Sequence, residues 1–210
     1  GIDKLKKILP EIAGSFYGNP SSNLKLVGVT GTNGKTTSVQ WLSSCLNRLG
    51  KKTGFIGTTG YGDSTNINPT KNTTPDILTT QKILRHFKEQ NTSHIAMEVS
   101  SHAIDQGRID SLKFDIKLLT NITRDHLDYH GNIENYIECK SNFLLNAESG
   151  DCIIINNDDP VGHKIIEKIK KKKESLKILS FGIKNSSHLM AKNISVSNDW
   201  IIFYLDHNEE

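Results

Sequence analysis

Apolar positions along the chain alternate between short runs and helical stripes. Residues 2–13 carry apolar side chains at 2, 5, 8, 9 and 12, the spacing of one helix face, with Pro10 as a kink or break. "LKLVGV" (24–29) has the character of a short buried strand. A glycine-rich turn follows, and "KTTSVQWLSSCLNRLG" then predicts a helix ended by Gly50. "KTGFIG" (52–57) is the next predicted strand, and residues 58–72, rich in Gly, Thr and Asn, form a loop or irregular hairpin. "TPDILTTQKILRHFKEQ" predicts a helix with Thr74 as N-cap and Pro75 at its first position. Further strands are expected at "SHIAMEV" (93–99), "FDIKLLTNI" (114–122), "CIIIN" (152–156) and "LKILSFG". Further helices are expected at "NIENYIECKSNFLLNA" (132–147) and "DPVGHKIIEKIKKKKE". The last stretch, "AKNISVSNDWIIFYLD", alternates in the manner of a hairpin with an Asn-Asp turn near 198–199.

Strands alternating with helices predict an α/β fold with a mostly parallel sheet, helices on both faces and a C-terminal antiparallel hairpin. In such sheets the active groups sit beyond the carboxyl ends of the strands. Every candidate motif below lies at such an end. The 210 residues suit one domain or a little more, and 35% hydrophobic with 23% charged residues is ordinary for a soluble protein. A net charge of +3 is too small to indicate nucleic acid or membrane. The Lys170–Lys173 run suits a solvated helix end, where cations complement the helix dipole, better than a nucleic-acid patch. No apolar run approaches the roughly 20 residues of a membrane helix, and no signal-peptide pattern is present. Cys45, Cys139 and Cys152 are odd in number and lack metal spacing, which fits a reducing, cytoplasmic setting. The chain starts at Gly1 and stops in polar residues just after an apolar strand, so a fragment of something longer is expected.

"VGVTGTNGKTTS" (27–38) carries the first chemistry. Phosphate loops usually place a glycine five residues before the Gly-Lys pair, but Val29 stands there, and the glycines fall at 28, 31 and 34. A cradle needs backbone N–H groups turned inward ahead of a helix N-terminus, and Gly31 and Gly34 permit that turn. Lys35 supplies a point charge for the outer phosphates, and Thr36 a hydroxyl for magnesium. The strand–loop–helix order favours this over a glycine-rich turn with a surface lysine. Glu98 closes an apolar strand, where a carboxylate can hold the magnesium that bridges the phosphates or simply be solvated. Asp125, His126, Asp128 and His130 crowd one turn, as metal ligands or as helix caps. Lys140 lies in a helix among Ile137, Phe143, Leu144 and Leu145, where lysines usually stay exposed or snorkel. Buried, its pKa falls, and a neutral amine can capture CO2 as an anionic carbamate able to ligate magnesium. Asn72, Thr73 and Thr74 offer amide and hydroxyl groups at a helix N-terminus, either as caps or toward an anionic substrate. Arg108 can grip a carboxylate or phosphate with two parallel hydrogen bonds.

"GVTGTNGKTT" resembles the ATP loop of the Mur ligases and of the related folylpolyglutamate synthases. The second group tends to have serine where Thr37 stands, so the loop leans toward the Mur ligases. The likeness implies that Gly31, Thr32, Asn33, Gly34, Lys35, Thr36 and Thr37 hold ATP. "DHLDYHG" is similar to a Mur ligase signature whose first histidine helps bind a second metal, which implies that role for His126, with Asp128 and His130 beside it. "YIECKSNFLL" resembles the stretch bearing a carbamylated lysine, which falls on Lys140. In the muramyl-tripeptide synthetase branch an "NTTP" stretch contacts UDP-N-acetylmuramoyl-L-alanyl-D-glutamate, which implies Asn72, Thr73 and Thr74, and with them Ser100, Gln106 and Arg108 of "SSHAIDQGR". "INNDDP" resembles the family's adenine-side turn, making Asn156 either a contact to the base or a capping residue.

The resemblance thus implies a cytoplasmic, monomeric ATP- and Mg2+-dependent amide ligase of peptidoglycan precursor synthesis. It would add meso-diaminopimelate or lysine through an acyl phosphate, with Lys35, His126 and Lys140 at the chemistry. Residues 1–20 would be a helical lead-in near the boundary with an N-terminal domain. Residues 21–210 would be the ATP-binding central domain, cut short at its C-terminal end, with the amino-acid-binding domain absent. Alternatives are a folylpolyglutamate synthase-like ligase and a nucleotide-binding module without ligation.

Overall fold

The computed structural model describes residues 2–63, 65–172 and 176–207, so the last lysine of the predicted basic run, Lys173, lies outside the described residues. The elements in chain order are α1 (Ile2–Tyr17), a short 3-10 turn (Pro20–Asn23), β1 (Lys25–Thr30), α2 (Lys35–Arg48), β2 (Thr53–Gly57), β3 (Gly60–Gly62), β4 (Ile67–Asn68), α3 (Ile77–Glu89), β5 (His94–Glu98), α4 (Ser101–Asp105), β6 (Ile116–Leu119), α5 (Leu127–His130), α6 (Ile133–Leu145), β7 (Cys152–Asn156), α7 (Pro160–Lys172), β8 (Lys177–Gly182), β9 (Leu189–Val196) and β10 (Ile201–His207).

The ten strands among the described residues join one sheet in the order β10-β9-β8-β7-β6-β1-β5-β2-β3-β4. The pairs from β9 to β2 are parallel, and the two edges turn antiparallel through β10 and through β3–β4. Alternation along β1 divides the core between two faces. Val27 and Val29 meet Val39 of α2 on one face. Leu26 joins Leu84 and Phe87 of α3, Phe143 and Leu144 of α6, and Ile165 of α7 on the other. Full burial of an aliphatic side chain such as Leu26 stabilises the fold by roughly 1.5–3 kcal/mol. Among the described residues no helix is long and apolar enough to cross a membrane.

The predicted strands and long helices are present, and the C-terminal hairpin closes through Ser197–Trp200, which contains the expected Asn-Asp turn. Three expectations change. Helix α1 does not break at Pro10 but runs on to Tyr17. Leu9 and Ala13 pack into the core against α3, and this packing offsets the one backbone hydrogen bond that proline removes. Helix α3 starts later than predicted, because Asp76 and not Thr74 caps it: the Asp76 carboxylate accepts from the Thr79 N–H at 3.0 Å. The Thr74 hydroxyl instead donates to the Glu98 carbonyl at 2.8 Å, a tertiary bond that residue preferences along the chain do not encode. Finally, α4 and α5 fall in stretches where no helix was predicted, each only four or five residues long.

Candidate active site

Val29 explains the irregular glycine spacing. It is fully buried and pairs with Glu98 inside the sheet, so the strand extends to Thr30 and the turn begins only at Gly31. At Gly31 φ is 145°, and a β-carbon there would run into the Thr120 hydroxyl. Helix α2 starts on Gly34 with no side chain capping it, which leaves its first-turn N–H groups available to an anion. The end of β6 braces the turn. Asn121 accepts from the Asn33 N–H at 3.0 Å through its side chain and from the Thr32 N–H at 2.8 Å through its carbonyl. Thr120 donates to the Asn33 carbonyl at 2.7 Å.

Thr36, Glu98, His126 and Lys140 line one cavity of about 280 Å3, together with Thr32, Asn33, Gly34 and Lys35. The Lys35 ammonium bonds the Gly31 and Thr32 carbonyls at 2.9 and 2.8 Å. Burial lowers its pKa, opposed by the negative charges of Glu98 and Asp125. Glu98 is buried, with one carboxylate oxygen taking the Thr58 N–H at 2.8 Å and the other the Thr58 hydroxyl at 3.3 Å. It lies over Gly57, where any β-carbon would strike its carboxylate.

Lys140 is fully buried and does not snorkel. Its ammonium reaches the Gly31 carbonyl at 2.9 Å and stands 4.9 Å from the centre of the Tyr136 ring. Burial, then the neighbouring Lys35 charge, pulls its pKa down to about 7. His126 adopts left-handed backbone with φ 52°, and its Nε2 lies 3.5 Å from the Asp125 carboxylate. Its ring meets that of His102 at 4.9 Å. His130 is buried, with no hydrogen-bond partner for its Nε2 among the described residues, while Asp128 lies in the first turn of α5. Among the described residues no group of three or more His, Cys, Asp or Glu forms a metal cage. One buried carboxylate and one hydroxyl fit magnesium that arrives on nucleotide phosphates, because this ion keeps several waters and takes one or two protein carboxylates.

Thr73 and Ser100 also line the cavity. The Thr73 hydroxyl bonds that of Thr58 at 3.0 Å, while the Ser100 hydroxyl caps α4 through the Ala103 N–H. Asn72, Gln106 and Arg108 are not among its lining residues. Arg108 reaches the segment nonetheless, through the Thr74 carbonyl at 3.0 Å. Asn156 stands apart at the end of β7, its amide spent on the Thr120 carbonyl and the Asp158 N–H, the bonding of a turn residue. Two participants escaped the sequence reading. Tyr136, four residues before Lys140 on the same helix face, bonds the Thr32 hydroxyl at 3.0 Å; the i, i+4 spacing was a usable signal. Thr58, which holds Glu98, carried none.

Residues 29–207 match the family model described as the Mur ligase middle domain. The chain belongs to the Mur ligase family. It is 40% identical over 193 residues to the UDP-N-acetylmuramoyl-L-alanyl-D-glutamate–2,6-diaminopimelate ligase of Pseudomonas syringae pv. tomato, an alignment covering 92% of this chain and 39% of that protein. The similarly named ligase of Geobacillus thermodenitrificans is 36% identical over 208 residues, covering 95% and 41%. A solved structure of a ligase with that name superposes with a TM-score of 0.78 at 30% identity, over 87% of this chain and 37% of that one. Mycobacterium tuberculosis folylpolyglutamate synthase shares the fold, with a TM-score of 0.72 at 14% identity over 93% of this chain and 50% of that one. This Mur ligase chain spans about two fifths of the length of the curated relatives it matches.

Proposed function

We propose that this Mur ligase domain supplies the ATP-cleaving centre of an enzyme that joins UDP-N-acetylmuramoyl-L-alanyl-D-glutamate to a diamino acid, meso-diaminopimelate by likeness to its relatives. One observation carries the reading: a buried amine with a pKa near 7, Lys140, faces the same cavity as Lys35 and Glu98. A nucleotide switch has no use for a buried lysine that gives up its proton this readily beside the phosphates, whereas a carbamate there completes an anionic set with Glu98. Forming it joins the amine nitrogen to the carbon of CO2 and releases one proton. Magnesium, held by Thr36 and Glu98 and on a second side by His126 and the modified Lys140, would neutralise phosphate charge.

The loop N–H groups of residues 31–37 and Lys35 hold ATP with its γ-phosphate toward the cavity. Asn72, Thr73, Thr74, Ser100, Gln106 and Arg108 bring up the D-glutamyl carboxylate, which attacks that phosphate; ADP leaves, and an acyl phosphate remains. The amine of the second substrate then displaces inorganic phosphate through a tetrahedral intermediate. Asn156 lies on the adenine side. The same reading has residues 1–20 lead in from a sugar-nucleotide-binding domain, and a further C-terminal domain deliver the amine, so the chain alone does not ligate. The whole enzyme would act as a cytoplasmic monomer.

The test is to supply the full-length protein with dipeptide substrate whose carboxylate carries heavy oxygen. Acyl-phosphate chemistry transfers one labelled oxygen to the released phosphate. Phosphate free of label during productive ligation rejects the mechanism, and turnover with folate but not the muramoyl dipeptide would reassign the substrate.

A further inference from the structure

We propose that Tyr129 is a positioning residue that sets the Gln106 amide and, through it, the Arg108 guanidinium. The inference rests on the ligase reading above, in which Arg108 meets the anionic muramoyl substrate. Donors and acceptors fix the order of the chain. The Asp105 carboxylate can only accept, so the Tyr129 hydroxyl donates to it, at 2.7 Å. That leaves the phenol oxygen as an acceptor, which takes the Gln106 Nε2–H at 3.1 Å. With its NH2 turned to Tyr129, Gln106 presents Oε1 to Arg108 and receives Nε–H at 2.9 Å and Nη2–H at 2.5 Å. Arg108 Nη1 donates to the Thr74 carbonyl at 3.0 Å. Three of the five guanidinium N–H groups are thereby used, and one remains on each terminal nitrogen, a pair suited to one carboxylate or phosphate.

Turning the amide over would break this order. Oε1 would face a phenol whose hydrogen is committed to Asp105, and NH2 would face guanidinium donors. The ring itself is fixed by His102 at 4.1 Å and His130 at 4.9 Å between centroids. Tyr129 therefore ties the "DYHG" turn to the substrate side of the cavity. Through Thr74, whose hydroxyl bonds the Glu98 carbonyl, the chain continues to the carboxylate strand.

The experiment is steady-state ligation by the full-length protein, varying ATP and UDP-N-acetylmuramoyl-L-alanyl-D-glutamate separately. Tyr129→Phe keeps the ring and removes the hydroxyl. It should raise KM for the dipeptide substrate about tenfold, the scale of one lost hydrogen bond to a polar network, with KM for ATP and kcat nearly unchanged. In an Arg108→Lys background the same substitution should change KM for the dipeptide no further, since both act through one guanidinium. An unchanged KM, KM values for both substrates rising together with a lower melting temperature, or an undiminished effect in the Arg108→Lys background each overturns the proposal. A parent enzyme that does not ligate this dipeptide at all overturns the ligase reading and this inference with it.

Discussion

Replacing Lys140 with methionine separates what the lysine costs the fold from what it contributes to the site. The side chain is 1% exposed, and its pKa falls from 10.5 to about 7 on folding. The gap corresponds to roughly 4–5 kcal/mol held against the ammonium. The folded chain binds this proton less tightly than the unfolded one, so unfolding takes up a proton between about pH 7 and 10.5, and stability rises with pH across that window. Below pH 7 the whole penalty is present. Lys140→Met, similar in length and uncharged, should therefore be more stable than the parent near pH 6 by about 1–4 kcal/mol once relaxation is allowed for. Between pH 6 and pH 9 that advantage should shrink by about 2.7 kcal/mol. Urea denaturation followed by circular dichroism, in buffer free of CO2, reads the difference. An advantage that ignores pH, or a variant less stable than the parent at pH 6, refutes the reasoning: the bond to the Gly31 carbonyl would then outweigh the desolvation of the amine. In the full-length enzyme the same substitution should abolish ligation.

Two further substitutions probe the frame around the site. Gly57→Ala places a methyl group against the Glu98 carboxylate, so magnesium-dependent nucleotide binding by this chain should weaken by tenfold or more, checked by calorimetric titration. Parent-like affinity would show that Glu98 does not need its present seat. Asp159 accepts the Ile122 N–H at 2.8 Å, and the Val161 and Gly162 N–H groups at 2.9 and 3.0 Å. Asp159→Ala should cost about 2–3 kcal/mol in thermal or urea unfolding, and a loss under about 0.5 kcal/mol would contradict this account.

Much of the fold was legible because its central strands β1, β2 and β5 are buried on both faces, and "KLVGV" and "CIIIN" stand out as apolar runs between helical stripes. The phosphate loop was legible from its glycines and lysine. What stayed hidden depends on contacts across the chain. Thr74 and Asp76 are both good caps by type, and only the bond from Thr74 to the Glu98 carbonyl decides between them. Helices α4 and α5 are too short to show a period, so the patterning had nothing to detect. The depth of Lys140 was open from sequence, since a helical lysine beside Phe143 and Leu144 can lie inside or reach out. The partners of the Asn156 amide, the Thr120 carbonyl and the Asp158 N–H, also depend on contacts that the local sequence does not show.

The brace on the phosphate loop has a consequence for how the protein is born. Asn121, which fixes Asn33, lies 88 residues further along the chain. When synthesis has passed residue 100 of this sequence but not yet β6, the glycine turn is made and the strand that shapes it is not. The turn takes its braced shape only once β6 has followed it, so the order of synthesis sets the shape of the loop late.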